Sequence, residues 1–147
     1  LKTLCVLGFK MINAKAKGSK GERELVKFFN ENGFSCIRAA GSGSSIYPSP
    51  DILAGNAIRR LAIECKVTKD KKKYFLQAEI EQLKQFSNNF GAESWIAVKF
   101  PNNDWYFLML EDLENTGKCL LVSLEKAKLR GLNKEELLQL SNENRKV

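Results

Sequence analysis

The chain has 147 residues, and its apolar content of 44% is enough to form the core of one domain. Its 24 Lys and Arg residues outnumber its 17 Asp and Glu residues, and the net charge of +7 favours a polyanionic partner such as nucleic acid, or an anionic membrane surface. Histidine is absent, which excludes a His general base, Ser-His and Cys-His catalytic pairs, and His-ligated zinc.

The cysteines and the N-terminal stretch indicate a protein of the cytoplasm. The four cysteines form no C-x-x-C pair, which favours reduced thiols over a zinc knuckle or a disulfide scaffold. The opening stretch LKTLCVLGFK ends in a lysine and is far shorter than the roughly 20 residues of a membrane span, so we expect no membrane association. We expect residues 1–14 to be a flexible extension, of which residues 1–10 are either genuine or an upstream misreading of the start site. Residues 15–147 are then a single domain.

The first half of the chain predicts a helix followed by three strands. The stretch SKGERELVKFFNENG places apolar residues on one side of a helix that stops at Gly33. The alternating stretch FSCIRAA predicts a strand, and after the loop GSGSSIYPSP the short apolar run DILAG predicts another. The turn residues of GNAIR then lead into LAIECKV, so the second and third strands are expected to form a hairpin.

The second half predicts a helix, two strands and a last helix. A basic tract, KVTKDKKK, precedes an amphipathic helix that ends near Gly91. The strands SWIAVKF and WYFLML flank the turn PNND, and after a short acidic segment Asn133 and Glu136 form the capping box of the last helix. This order predicts a mixed α/β fold with a central mixed sheet flanked by helices.

Three charged side chains are expected to converge on the predicted hairpin. Glu64 and Lys66 are two positions apart in a strand and share a face with Ala62, and the hairpin brings Asp51 close to Glu64. Two adjacent carboxylates repel unless a cation joins them, and such oxygen ligands suit Mg²⁺, or Mn²⁺ as a substitute, with the backbone carbonyl of Cys65 as a further ligand. A metal there activates water against a phosphodiester without any histidine, while Lys66 positions the water or stabilises the developing charge.

The spacing of these residues resembles a nuclease motif. P-D, twelve residues, then E-x-K is similar to the core motif of the restriction-endonuclease-like nuclease superfamily. Together with KGSKGERELVKFFNENGFSCIRAAGSGSS, PDILAG, LAIECKVTK and AVKF, in this order over about residues 15–140, the chain resembles archaeal Holliday junction resolvases. The resemblance implies a restriction-endonuclease-like core with a mixed sheet of about five strands. It also implies an Mg²⁺-dependent endonuclease, without a small-molecule cofactor, that acts as a homodimer on four-way junction DNA.

The resemblance also implies roles for individual residues. Glu22, Asp51 and Glu64 surround the metal, and Lys66 is the catalytic lysine. In the family the cleavage introduces paired symmetric nicks during recombination and repair, in the cytoplasm and at the nucleoid.

A second group of residues is implied to contact DNA. Ser42 matches a serine near the scissile phosphate, although Ser44 and Ser45 are alternatives in the same loop, and Ser44 is also a candidate DNA contact. Arg23 and Arg38 fall where the family has basic residues facing DNA. The lysines of the basic tract that adjoin the proposed phosphate site are Lys69, Lys71 and Lys72.

Each of these residues also has a structural interpretation. Glu22 follows Ser19 by three positions, so SKGE reads as a capping box, and Asp51 after a proline reads as a turn aspartate. Glu64 and Lys66 read as a solvated strand pair that contributes only ~0.2–1 kcal/mol. The Gly/Ser loop reads as flexible and the basic tract as solvated. The large aromatic side chains are expected in the core or a subunit contact rather than stacked on bases: Trp95, Trp105, Tyr106 and the Phe residues.

Two rival functions keep part of this interpretation. A related nuclease acting on ordinary duplex or flapped DNA would share the fold and the metal site. A noncatalytic DNA-binding module would share only the fold, and the intact set of acidic residues and lysine argues against it.

Overall fold

The computed structural model describes residues 18–39 and 46–143, without the side chains of residues 141–143. The serine loop, with Ser42, Ser44 and Ser45, and the predicted extension at residues 1–14 lie outside the described residues. The domain limits therefore stay a prediction. Within the described residues, no helix is both long enough and apolar enough to cross a membrane.

The described part of the chain alternates helices and strands. In chain order the elements are α1 (residues 18–31), β1 (Ser35–Arg38), β2 (Ile52–Gly55), β3 (Arg60–Val67), β4 (Lys72–Phe75), α2 (Gln77–Phe90), β5 (Glu93–Lys99), β6 (Trp105–Leu108), a 3₁₀ turn (Leu110–Asp112), β7 (Glu114–Asn115), β8 (Leu120–Ser123), α3 (Leu124–Arg130) and α4 (Lys134–Glu143).

A mixed sheet of five strands, in the order β1-β2-β3-β5-β6, forms the centre of this structure. Its neighbouring strands are antiparallel except for β3 and β5, which run parallel and are joined through β4 and α2. Parallel neighbours need a long crossover connection, and the crossover here places α2 on one face of the sheet. The predicted central mixed sheet flanked by helices is confirmed.

Both faces of the sheet are covered by apolar side chains. On one face, Leu25 of α1 and Leu137 of α4 belong to the same buried cluster as Ile63 of β3. On the other face, Ala62 of β3 is buried in a cluster with Ile80 of α2. The strand that carries the predicted site is therefore buried on two sides, whereas the sequence predicted only one core-facing side.

The ends of two predicted helices have the expected geometry. Gly91 ends α2 in the left-handed conformation with φ +80°, which glycine adopts without strain. At the start of α4 the side chain of Asn133 accepts a hydrogen bond from Glu136 N at 2.8 Å, and Glu136 Oε1 accepts one from Asn133 N at 3.1 Å. The predicted capping box of the last helix is confirmed.

A second, three-stranded sheet, in the order β4-β8-β7, was not predicted. The basic tract, for which a solvated surface was one interpretation, supplies the first two residues of β4, and in this strand Lys72 and Tyr74 are exposed whereas Phe75 is buried. Helix α3 was also missed; it follows β8 directly, and Ser123 Oγ accepts a hydrogen bond from Lys126 N at 3.0 Å. Strands of two to four residues are too short to display a period in the sequence, which explains the omission.

Candidate active site

The hairpin of β2 and β3 places Asp51 beside the second half of β3. Ile52 pairs with Ile63, so Asp51, one residue before β2, lies level with the residues that follow Ile63. Its Oδ2 atom accepts a hydrogen bond from Cys65 N at 2.8 Å, and the residue is only 8% exposed. The Asp51 carboxylate thus takes the place of a strand partner after β2 has ended, which is more than the role of a turn aspartate.

Glu64 lies next to Asp51, as the hairpin predicted. Its side chain is 16% exposed, so the interpretation as a solvated strand pair is wrong. Burial, followed by the negative charge of Asp51, raises the pKa of Glu64 to about 8, although Lys66 acts in the opposite direction. The ammonium of Lys66 alone therefore does not compensate two neighbouring carboxylates.

Lys66 is held between two carboxylates. Its Nζ atom is 3.3 Å from Glu64 Oε1 and 3.3 Å from Glu79 Oε1. Burial by itself lowers the pKa of Lys66, but the nearby carboxylates outweigh it and the net shift is upward. Lys66 is therefore a fixed positive charge. Glu79 was not predicted as a site residue, because only the docking of α2 on the sheet brings it next to Lys66. The one feature of the sequence that could have drawn attention to Glu79 was its position in the first turn of a helix.

Glu22 of α1 is paired with Arg38 of β1. Arg38 Nε donates a hydrogen bond to Glu22 Oε2, and Arg38 Nη2 donates one to Ser19 Oγ at 3.0 Å. The capping-box interpretation of SKGE is wrong, because residue 18 is already helical and the Ser19 hydroxyl contacts Arg38. Burial and the charges of nearby carboxylates, among them Glu22, raise the pKa of the Cys65 thiol. The Glu22 carboxylate therefore lies close enough to β3 to act electrostatically on Cys65.

The three predicted metal ligands are not gathered into one cluster. Within residues 18–39 and 46–143, no three His, Cys, Asp or Glu side chains lie close enough together to hold a metal ion. Asp51 and Glu64 are adjacent, whereas Glu22 is engaged by Arg38. Two adjacent carboxylates, of which Asp51 is buried and Glu64 is 16% exposed, nevertheless form a donor set that suits a hard divalent cation.

The predicted DNA-contacting residues differ in their surroundings. Arg23, Lys69, Lys71 and Lys72 are exposed, as a contact with phosphates requires. Arg38 is only partly exposed and already paired with an acidic side chain. Trp95 and Trp105 are 2% and 1% exposed, so these two side chains belong to the core, as predicted, and are not base-stacking platforms.

Comparison with known proteins places this chain in a family. The family model described as archaeal Holliday junction resolvase (Hjc) matches residues 13–146. The chain belongs to this family. This resolvase-family chain is 45% identical over 104 residues to crossover junction endodeoxyribonuclease Hjc of Archaeoglobus fulgidus. The matched stretch covers 71% of this chain and 76% of that protein. It is 36% identical over 106 residues to the Hjc of Methanocaldococcus jannaschii, covering 72% and 75%.

A solved structure supports the same assignment for this member of the archaeal Holliday junction resolvase family. The structure of Archaeoglobus fulgidus Hjc, a Holliday junction resolvase from an archaeal hyperthermophile, matches with a TM-score of 0.76 at 40% identity. The match covers 81% of this chain and 96% of that chain. The family resemblance and the restriction-endonuclease-like fold predicted from the sequence are confirmed.

Proposed function

We propose that this resolvase-family chain is an endonuclease that cuts four-way DNA junctions by phosphodiester hydrolysis, leaving paired symmetric nicks in recombination and repair. The relatives carry the name crossover junction endodeoxyribonuclease. The observation that carries the proposal onto this chain is the group formed by buried Asp51 and partly buried Glu64 and Lys66 on the β2–β3 hairpin. We expect the protein to act in the cytoplasm, on nucleoid DNA.

We propose that cleavage depends on a divalent metal, as it generally does in the resolvase nucleases of this family. We propose further that the ion is Mg²⁺, with Mn²⁺ as a substitute. Asp51 and Glu64 would hold it through their carboxylates. Cys65 N donates toward Asp51, and the N–H and C=O of one strand residue face the same edge, so the Cys65 carbonyl is a suitable third ligand. Glu22 would become a further metal ligand once its ion pair with Arg38 is broken.

The protein's own residues account for the rest of the chemistry. When bound, a divalent ion supplies an acidified water and neutralises charge on the phosphodiester. Lys66 stabilises the negative charge that develops on the phosphate oxygens, because its ammonium is fixed and keeps its proton. Asp51 is held in place by the Cys65 N–H, so its carboxylate needs no reorganisation during the reaction. None of these roles requires a histidine.

We infer that recognition relies on the charge and shape of the DNA backbone, since recombination junctions form at arbitrary sequences. The exposed side chains of Arg23, Lys69, Lys71 and Lys72 are available for phosphates. From the family resemblance, Arg38, Ser42 and Ser44 complete the proposed contact set, with Ser42 closest to the scissile phosphate.

We further propose that the functional unit is a homodimer, because a junction with two-fold symmetry suits a two-fold protein. An apolar patch near the end of α2 supports this. The rings of Phe86 and Phe90 are stacked with centroids 5.4 Å apart, Phe90 is 48% exposed, and the neighbouring Tyr47 is 74% exposed. Adjacent exposed aromatic rings are typical of a protein interface.

The decisive experiment incubates the purified protein with a synthetic immobile four-way junction, with and without Mg²⁺, and reads the products on a denaturing gel. Linear duplex of the same sequence serves as the competing substrate. We expect paired cuts in the junction that need the metal. Equal cutting of the duplex would favour an ordinary duplex nuclease, and junction binding without cleavage would favour a noncatalytic module.

Substitution of Asp51 tests the site within the same assay. Asp51→Asn is expected to lower cleavage at least about 100-fold and to leave the junction Kd within about threefold, because it removes a ligand charge but keeps the shape. Asp112→Asn, the same change in the 3₁₀ turn, which carries none of the proposed site residues, is the matched control and should cleave normally. Cleavage by Asp51→Asn at the wild-type rate would contradict the metal-site assignment.

A further inference from the structure

Glu79 connects the candidate active site to the start of α2. One carboxylate oxygen, Oε1, accepts a hydrogen bond from Lys66 Nζ at 3.3 Å. The other, Oε2, accepts one from the backbone N–H of Leu76 at 2.9 Å, which caps the helix. The Glu79 side chain is 34% exposed, so it lies at the edge of the site rather than in open solvent.

The contacts of Lys66 show why this second carboxylate matters. Lys66 lies at equal distances, 3.3 Å, from Glu64 and Glu79. Glu64 also faces Asp51 and is a proposed metal ligand, so it interacts with more than Lys66. Glu79 is the contact of Lys66 that comes from a different element, and it approaches from α2 rather than from β3 itself. A lysine side chain is long and flexible, and ion pairs to two carboxylates restrict it to one orientation.

We propose that Glu79 is a positioning residue that holds the Lys66 ammonium in the orientation needed for cleavage. This inference rests on the proposed function, in which Lys66 stabilises the charge that develops on the phosphate. Glu79 acts through Lys66, the side chain with which it is paired. Because small displacements of a catalytic group reduce the rate more than they reduce substrate binding, the loss of Glu79 is expected to affect cleavage and not affinity.

A purely structural role of Glu79 as a helix cap can be separated from this positioning role. Leu76 has φ −69° and ψ 144°, which proline adopts without strain, and its side chain is 66% exposed. The preceding residue, Phe75, is in a strand conformation, which proline also tolerates in its neighbour. Leu76→Pro therefore removes the capping N–H and leaves the contact between Glu79 and Lys66 in place.

The experiment measures the single-turnover rate of cutting a four-way junction, and the junction Kd, for four proteins: wild type, Glu79→Ala, Glu79→Gln and Leu76→Pro. Glu79→Ala is expected to slow cleavage roughly 10- to 100-fold, with the Kd within about threefold of the wild type. Glu79→Gln keeps an acceptor oxygen for Lys66 and should recover part of the rate. Leu76→Pro should cut within about threefold of the wild-type rate. Thermal unfolding of each variant verifies that it is folded.

Several results would overturn the inference. If wild type cuts and Glu79→Ala cuts equally fast, Glu79 does not position Lys66. If Leu76→Pro is slowed as much as Glu79→Ala, the cap of α2 is what matters. If Glu79→Gln is no faster than Glu79→Ala, the hydrogen bond to Lys66 is not the reason. A wild-type protein that binds the junction and never cuts it would instead contradict the proposed function itself.

Discussion

Replacing Glu64 by Gln is expected to stabilise the metal-free fold at alkaline pH, although it should abolish cleavage. Burial and the charge of Asp51 raise the pKa of Glu64 from 4.5 to about 8. Folding therefore favours the protonated carboxyl, while the unfolded chain has released that proton above pH 4.5. The folded state binds the extra proton, so stability falls as the pH rises from about 4.5 toward 8 and then levels off.

The structure sets the scale of this effect. The interval between 4.5 and about 8, at about 1.36 kcal/mol per pH unit, gives an upper limit on the order of 5 kcal/mol. Gln also loses the ion pair with Lys66, so a net gain of roughly 1–3 kcal/mol for Glu64→Gln at pH 8.5 is the expected outcome. The chain contains no histidine, so no other side chain with an ordinary pKa between 5 and 8 obscures the signal.

The assay is urea unfolding in the presence of EDTA and reductant, at pH 5.5 and pH 8.5. Wild type should lose stability between these two pH values, and Glu64→Gln should lose little. Glu81→Gln, at a side chain that is 72% exposed on α2, is the matched control and should follow the wild type. A wild-type protein equally stable at both pH values, or a Glu64→Gln variant with the same pH loss, would refute the reasoning.

Three further predictions concern stability, DNA binding and assembly. Arg59 is 8% exposed and donates hydrogen bonds to both carboxylate oxygens of Glu93, at 2.8 and 2.9 Å, and to the Leu137 carbonyl at 2.7 Å. Arg59→Ala should therefore lower the free energy of unfolding by about 2–4 kcal/mol in urea titrations, and no change would show that this buried link between the sheet and α4 is dispensable. Lys72→Ala should weaken junction binding uniformly across sequences and reduce the slope of log Kd against log salt by about one, as measured by fluorescence anisotropy; an unchanged slope would remove Lys72 from the DNA surface. Phe90→Glu should convert the proposed dimer to a monomer in light scattering after size-exclusion chromatography, whereas a wild-type monomer at high concentration would contradict the dimer.

The sequence by itself determined the long elements and the centre of the site. Helices α1 and α2 have apolar residues at helical spacing and end at glycines, so their positions followed from local rules. The turn residues between β2 and β3 fixed the hairpin, and the hairpin register was enough to bring Asp51 beside Glu64. The motifs that carry the family resemblance lie on these same local elements, so they could be identified in the sequence without the tertiary structure.

Only the tertiary structure decided which charged groups pair across elements. Lys66 meets Glu79 because α2 packs on the sheet next to β3, and Arg59 reaches Glu93 across 34 positions of the chain. Arg38 binds Glu22, which the sequence had offered only as a cap or a ligand. The second sheet was hidden because its strands are too short to show a pattern. Spacing along the chain specifies neighbours within a helix or a hairpin, whereas contacts between elements depend on how their apolar faces dock.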